Sequence, residues 1–304
     1  MRKSTVFAAA HNKCRSVKGE TMNDLNICQE FSEHVTCTHK SGYADVTKLY
    51  HKHNNYEIYL LLNGEVNFYL EEYGYHMEKG SILFIRPDVF HRLEYLNPVD
   101  YERVNIHIKS WYFKTLNTAH TNLADVLSNH GNGSYVSFLL PQQQIDKILE
   151  KSCELERSLH WEQFGDDILS ECLLKEILLI LNKLPRNHQF LQKPKICVPR
   201  LVSDIIAYIS ENLTEDLSVN ALAAIFHRNG QYLSRRFREF MGVPLQQYIL
   251  HKRVDLARKY LEDGVTLSQV CMDSGFHDYA NFSKLFTKYV GMAPKQYQMQ
   301  AMAR

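Results

Sequence analysis

The chain lacks any long apolar run. Its nearest approach, residues 172–184, is interrupted by Lys175, Glu176 and Asn182, well short of the roughly 18 apolar residues a membrane-spanning helix needs. The basic start, Met1-Arg2-Lys3, leads only into the short apolar stretch 6–10, too brief for the core of a secretory leader. No Cys-x-x-Cys pair occurs among the seven cysteines, at positions 14, 28, 37, 153, 172, 197 and 271. An odd, scattered set of this kind excludes a disulfide frame and a cysteine-based zinc site, and it predicts reduced thiols in a cytoplasm. Low-complexity tracts are absent, and so is a strong charge: 35 Lys and Arg stand against 34 Asp and Glu. The composition, 45% hydrophobic and 23% charged, is that of an ordinary soluble globular protein.

What is present is a division. At 304 residues the chain is long for one core, and about two domains are expected. From Lys195 onward 14 Lys and Arg face 10 Asp and Glu, leaving 21 against 24 in the remainder. That polarity fits a basic nucleic-acid module behind an acidic partner domain. Residues 1–35 carry little patterning and are expected to be irregular, with Met22 an alternative start. Residues 36–140 form the next expected unit. Between 36 and 108 the chain alternates in period two, is rich in Tyr, Phe, Val and Ile, and is punctuated by Gly42, Asn63-Gly64, Gly74, Gly80 and Asn97-Pro98. Short strands with regular turn signals predict a β-sandwich or barrel. Asn63-Gly64, between the apolar runs 58–62 and 66–70, predicts a hairpin.

Residues 141–190 change to helical spacing. Ile145, Ile148, Leu149, Leu155 and Leu159 mark one helix, and a more apolar second runs from Ile168 to Leu184. The pair reads as a helical connector, serving as domain core, as a dimerisation element, or as both. A proline-marked linker over 185–199 then leads into a wholly helical module, residues 198–304.

That module contains a repeat. Helix, tight turn and a second helix reading Tyr232-Leu233-Ser234-Arg235-Arg236-Phe237-Arg238 are followed by Gly242. The same order recurs around Asn281-Phe282-Ser283-Lys284-Leu285-Phe286-Thr287-Lys288 and ends at Gly291. Leu233 and Phe237, like Phe282 and Phe286, lie one turn apart and are expected to face the core. Ser234 and Arg235, like Ser283 and Lys284, then point outward. Asn229 and Asp278 are placed to cap these helices. A long helix over 244–261 joins the two units.

Residues 216–297 resemble the AraC/XylS family of transcription regulators. The likeness is carried by the segment 232–238, by Arg253-Val254-Asp255-Leu256-Ala257, by Val270-Cys271-Met272-Asp273-Ser274-Gly275-Phe276, and by Phe282-Ser283-Lys284-Leu285-Phe286. Gly291-Met292-Ala293-Pro294-Lys295-Gln296-Tyr297 completes it, with matching spacing throughout. Arg236 departs from the family pattern, which favours an apolar residue there, and Gly230-Gln231 replaces a more helix-favouring pair. The resemblance implies two helix-turn-helix units reading successive major-groove turns of duplex DNA. It places Gln231, Ser234, Arg235, Tyr279, Ala280, Ser283 and Lys284 at base edges; Arg238, Arg253 and Lys288 are better placed for phosphates, and the alternative for all these charges is a solvated, exposed helix face. It further implies a homodimer, RNA polymerase as a partner and activation of transcription.

In the N-terminal half, His51-x-His53-x-x-x-Glu57, followed by Gly64, Gly80, Pro87 and His91, resembles the two cupin motifs. Val89 stands where metal-binding cupins favour glycine, and His91 follows Pro87 more closely than usual. Three readings stay open for His51, His53, Glu57 and His91: a metal site, a pocket that hydrogen-bonds a polar effector, or groups that satisfy strand ends. Tyr59, Arg86, Arg103 and His107 extend the candidate effector pocket. Arg103, Asn105 and His107 alternate with Val104, Ile106 and Ile108, so one set faces inward. No catalytic residue, metal or cofactor is assigned. The resulting expectation is an α+β protein: a cupin-like β-barrel, a helical connector and an all-α domain with two helix-turn-helix units. It regulates transcription under a small polar, sugar-like effector. The competing class is a metal-dependent cupin enzyme with a helical appendage.

Overall fold

The structure is a computed structural model that describes residues 34–42, 50–71, 73–96, 101–130, 133–160, 163–184 and 191–302. Residues 1–35, expected to be irregular, therefore lie almost wholly outside the described residues, as does 185–190 of the expected linker. The architecture is α+β.

Among the described residues nine strands form two sheets. They are β1 (Val35–Gly42), β2 (Asn55–Asn63), β3 (Val66–Leu70), β4 (Tyr73–Met77), β5 (Ser81–Ile85), β6 (His91–Tyr95), β7 (Tyr101–Lys109), β8 (Tyr135–Leu139) and β9 (Ile196–Cys197). One sheet has the order β1-β7-β2-β5-β8 and the other β6-β3-β4-β9. Alternation assigns the two faces of the first sheet. Tyr59, Leu61, Leu83 and Ile85 meet Val66, Phe68, Leu70 and Leu93 of the second sheet in the barrel interior. Ile58, Leu60, Ile82, Phe84, Val104, Ile106 and Ile108 face outward into a separate core under helices. This settles the β7 alternation: the apolar set packs under helices, and Arg103, Asn105 and His107 take the interior side.

The Asn63-Gly64 hairpin does not form. β2 pairs with β5 and β7, whereas β3 pairs with β4 and β6. Residues 58 to 62 of β2 are all buried, so the strand requires covering on both faces and a neighbour on both edges. A turn at Gly64, with φ 95°, reverses the chain but does not fix which sheet receives the next strand.

Helices α1 (Ser110–Thr115) and α2 (Asp125–His130) interrupt the strand order before β8, and α3 (Gln142–Ser158) and α4 (Asp166–Lys183) follow it. Ile145, Ile148 and Leu155 of α3, with Leu173, Leu174, Ile177, Leu178 and Leu181 of α4, cover the outer face of the five-stranded sheet. The chain then returns to the barrel edge, where β9 pairs with β4 and Gln192 N donates to Ser137 O at 2.9 Å.

The C-terminal half comprises α5 (Arg200–Glu211), α6 (Val219–Ile225), α7 (Gly230–Met241), α8 (Leu245–Glu262), α9 (Leu267–Asp273), α10 (Tyr279–Val290) and α11 (Pro294–Met302). The 18-residue α8 is shared. Leu245, Tyr248 and Ile249 belong to the core of the first unit, while Val254, Ala257 and Leu261 belong to that of the second. At about 1.5 Å per residue it is a rod of about 27 Å, and it holds the two units at a fixed separation.

Candidate functional site

The two second helices of the repeat, α7 and α10, are built alike. Asn229 Oδ1 accepts from the backbone N–H of Gln231 at 2.9 Å and of Tyr232 at 3.3 Å, and Asp278 Oδ1 accepts from that of Asn281 at 2.6 Å. Such caps satisfy otherwise orphaned first-turn donors and contribute about 1 kcal/mol each. Leu233 and Phe237 are fully buried, as are Phe282 and Phe286, which turns the opposite side of each helix to solvent. On that side Ser234 and Ser283 are half-buried, while Gln231, Arg235, Arg238, Tyr279, Ala280, Lys284 and Lys288 are exposed. Arg235 lies 3.7 Å from Glu239 in an exposed pair, an interaction weak enough to be exchanged for a base or phosphate. Arg236, at the position that departs from the family pattern, also reaches Glu239, at 2.9 Å.

Arg253 is placed differently from the other expected DNA contacts. Its Nε donates to Leu213 O at 2.9 Å and its Nη2 to Glu215 O at 2.7 Å. The side chain braces the loop between α5 and α6 instead of standing on the outward face.

At the barrel mouth the structure brings five of the eight expected effector residues together. Glu57 is buried, and its Oε2 lies 3.0 Å from His53 Nε2 and 3.3 Å from His91 Nε2; its Oε1 lies 3.5 Å from His107 Nε2. Burial pushes the carboxyl up, but contacts with His107, His53 and His91 outweigh it and hold Glu57 well below the usual carboxylate range. His51 joins from the outer side, its ring 4.3 Å from that of His91. Donor atoms of His51, His53 and His91 lie within 4.8 Å of one another, as do those of His53, Glu57 and His107. Tyr59 shares the interior face, where its hydroxyl meets that of Tyr101 at 2.5 Å. The Arg103 guanidinium is 5.9 Å from the Tyr59 ring. Arg86 is not part of this group, since its Nη2 donates to Ser128 on α2 at 3.0 Å.

A third set of residues was invisible to sequence reasoning. Tyr248, Lys252, Asp255, Arg258 and Glu262 form a stripe at three-and-four spacing along α8, and every member meets the N-terminal half. Tyr248 packs on Phe90 with ring centroids 4.9 Å apart. Lys252 pairs with Glu71. Asp255 accepts from Lys52 Nζ at 2.7 and 2.6 Å, Arg258 donates to Asp88 at 2.6 Å, and Glu262 accepts from Lys114 at 3.0 Å. Burial lifts Asp255 to about 6, against the opposing pull of Lys52. Tyr50, Tyr69 and Phe90 of the barrel lie in the same core as Leu233, Phe237 and Ile249, so the barrel completes the first helical unit. The charged stripe is the available sequence signal, but in isolation it reads as a solvated helix face.

Comparison with known proteins bears on both halves. Residues 33–178 match the family described as AraC-like ligand binding domain, and residues 222–300 match a helix-turn-helix domain. The melibiose operon regulatory protein of Escherichia coli K12 is 23% identical over 308 residues, covering 96% of each chain. The HTH-type transcriptional activator AarP of Providencia stuartii is 30% identical over 119 residues, which are 39% of this chain and 87% of that protein. Among solved structures, unsaturated fatty acid-bound ToxT from Vibrio cholerae matches with 14% identity and a TM-score of 0.36, over 87% of this chain and 94% of that one. Among the described residues no helix is long and apolar enough to cross a membrane.

Proposed function

We propose a detailed function from one premise: this chain belongs to the AraC/XylS family of transcription regulators. It has that family's ligand-binding domain and its helix-turn-helix DNA-binding domain. The finer reading is that α7 and α10 enter successive major-groove turns of duplex DNA. Gln231, Ser234, Arg235, Tyr279, Ala280, Ser283 and Lys284 then face base edges, and Arg238 and Lys288 face phosphates. The observation that carries it is the matched construction of the two helices: same cap, same buried pair, same outward Ser-basic doublet.

The barrel is the sensor. A small polar effector is held at its mouth by His51, His53, Glu57, His91 and His107, with Tyr59 and Arg103 behind them. A melibiose operon regulatory protein among the relatives supports a sugar-like effector, since melibiose is a disaccharide. Occupancy shifts the population of orientations between barrel and α8, and so the affinity of the two units for their operator. No catalytic step is assigned to the barrel; the relatives are regulators. The protein acts in the cytoplasm as a homodimer and engages RNA polymerase. Exposed Ile168, Leu169 and Leu179 on α4 offer apolar surface for that pairing, and an activator among the relatives supports activation.

The test is selection from random duplexes at fixed salt, wild type against Arg235→Ala. The expected result is a site with two elements about one helical turn apart, about 34 Å, and loss of preference at one base position worth about 1–3 kcal/mol in the variant. Salt-sensitive binding without an enriched sequence would sink the reading, because it would be non-specific attraction alone.

A further inference from the structure

Beyond the histidine cluster, the interior side of β7 carries a donor without an acceptor and an acceptor without a donor. Arg103 and Asn105 lie two residues apart on that strand, so their side chains leave one face about 7 Å from each other. Arg103 Nη1 is buried without a hydrogen-bond partner, and so is Asn105 Oδ1; Asn105 as a whole is only 8% exposed. A guanidinium donates and never accepts, whereas an amide oxygen only accepts. The two unmet needs are opposite in kind and neighbours in space. Buried polar groups are normally satisfied, and one molecule offering both an acceptor and a hydroxyl would satisfy this pair.

Charge decides what kind of acceptor is missing. Lys40 on β1 stands directly opposite Arg103 on β7, and like charges so placed share a face and repel. Among the described residues neither cation has a carboxylate partner. Glu102, next to Arg103 in the chain, turns to the other face and meets His39 at 2.8 Å. Glu57 lies opposite His107, whereas Arg103 lies opposite Leu61, which puts the carboxylate about 13 Å along the strand. The nearby phenols do not compensate either: burial pushes Tyr59 and Tyr101 up, against the opposing pull of Arg103, so both stay neutral. Arginine keeps its proton. A neutral sugar could meet the hydrogen bonds, but it would leave two adjacent positive charges unanswered.

We propose that the effector is a hydroxylated carboxylic acid of the sugar-acid type, its carboxylate held by Arg103 and Lys40 and a hydroxyl donating to Asn105 Oδ1. A planar carboxylate takes two parallel bonds from a guanidinium fork, and Lys40 adds a point charge from the exposed end of the same face. The remaining hydroxyls extend along β7 toward Glu57 and His107. The inference rests on the sensor reading and adds to it the charge of the effector and the end of the barrel that reads it.

The experiment titrates the full chain by calorimetry, at fixed ionic strength, with matched pairs: D-galacturonate and D-galactose, D-glucuronate and D-glucose, D-gluconate and D-glucitol. The expected result is binding of at least one acid, with its neutral partner at least tenfold weaker. Arg103→Gln should weaken that acid at least tenfold, and Arg103→Lys should weaken it less. Lys40→Gln, at an exposed position outside the core, keeps the test decisive if Arg103→Gln does not fold; it should weaken the acid severalfold and leave the neutral partner unchanged. Without ligand, Lys40→Gln should hold or raise the unfolding midpoint, because it removes a repulsion. A lower midpoint overturns the proposal by showing that the charges are already compensated. Neutral sugars binding as tightly as the acids, acids insensitive to these substitutions, or no binding by any of the acids overturns it as well. Operator affinity is read alongside: an acid that binds without changing it sinks the sensor reading and keeps the site, whereas a response to neutral sugars alone does the reverse.

Discussion

Arg253 uses its guanidinium on two carbonyl oxygens, Leu213 O and Glu215 O, and Lys288 uses its ammonium on none of the protein's acceptors recorded among the described residues. The same charge therefore has different consequences at the two positions. Removing Arg253 leaves two carbonyls short of a charge-assisted partner, worth about 1–3 kcal/mol. Arg253→Ala is expected to lower the unfolding free energy by that order while leaving the slope of log affinity against log salt unchanged. Lys288→Ala is expected to leave stability within about 0.5 kcal/mol and to reduce that slope by about one, as loss of one phosphate contact does. Denaturant unfolding and salt-dependent operator titration on both variants decide it; a reduced slope in Arg253→Ala would mean that the arginine leaves its carbonyls on binding. At this scale the outward positions of α7 and α10 were legible from sequence because helix periodicity alone dictates them. The role of Arg253 was not, since its partners lie some forty residues away, in a loop with no periodicity to read.

At the scale of elements, the second helix-turn-helix depends on one close approach. Gly275 follows α9 with φ +80°, and a Cβ there would lie 2.2 Å from Leu213 O and 2.7 Å from Arg253 Nε. The turn of the second unit is thus pressed against the loop that Arg253 braces in the first, and the two units are packed together at this point as well as joined by α8. Gly291, which closes α10, has a similar φ of +83° with nothing within 4 Å of a built Cβ. The comparison separates backbone strain from collision. Gly291→Ala should cost about 1–2 kcal/mol, the left-handed penalty alone. Gly275→Ala adds a clash with backbone, with a further cost of about 1–3 kcal/mol, and should also weaken operator binding by misaligning the units. Equal losses in thermal unfolding would remove the argument for a packed contact. The repeat made both helical units readable, because cap, buried pair and closing glycine are all local. Strand pairing was less so. Asn63-Gly64 marks a reversal, but β2 and β3 lie in different sheets, and the choice of sheet depends on burial of both faces of β2, a property of the assembled barrel.

At the scale of the whole molecule, the sequence divides cleanly into a strand-rich and a helical half, and nothing local announces that the halves share a core. The contacts that join them link residues such as 52 and 255 or 88 and 258, far apart in the chain, and many use charged side chains that by composition belong to a surface. The joining segments also explain how the barrel mouth could be felt by α8. His51 and His91 exchange backbone hydrogen bonds, each at 2.9 Å, and Asp88 N donates to His53 O at 2.9 Å. In such a paired ribbon side chains alternate between faces: His51, His53 and His91 turn to the mouth, and Tyr50, Lys52, Asp88 and Phe90 turn to the helical half. Displacing a histidine is therefore expected to move the residue beside it on the interface. The Lys52–Asp255 pair, with side chains 12% and 19% exposed, is the place to test this. Lys52→Ala leaves Asp255 buried beside Asp88 without its partner, which costs the docked arrangement about 3 kcal/mol, roughly a hundredfold in the docking equilibrium. Amide exchange along α8 should rise accordingly, and operator affinity should lose its dependence on effector. Removing Asp255 as well, in Lys52→Ala with Asp255→Ala, takes away both charges and should recover docking beyond the sum of the single effects, by about 1–3 kcal/mol. Strictly additive effects would mean that the pair is incidental and that the aromatic contacts of Tyr50, Tyr69 and Phe90 alone hold the halves together. A non-additive result with effector dependence restored would identify docking of the barrel on α8, rather than any one ion pair, as the equilibrium that both the barrel mouth and the operator bias.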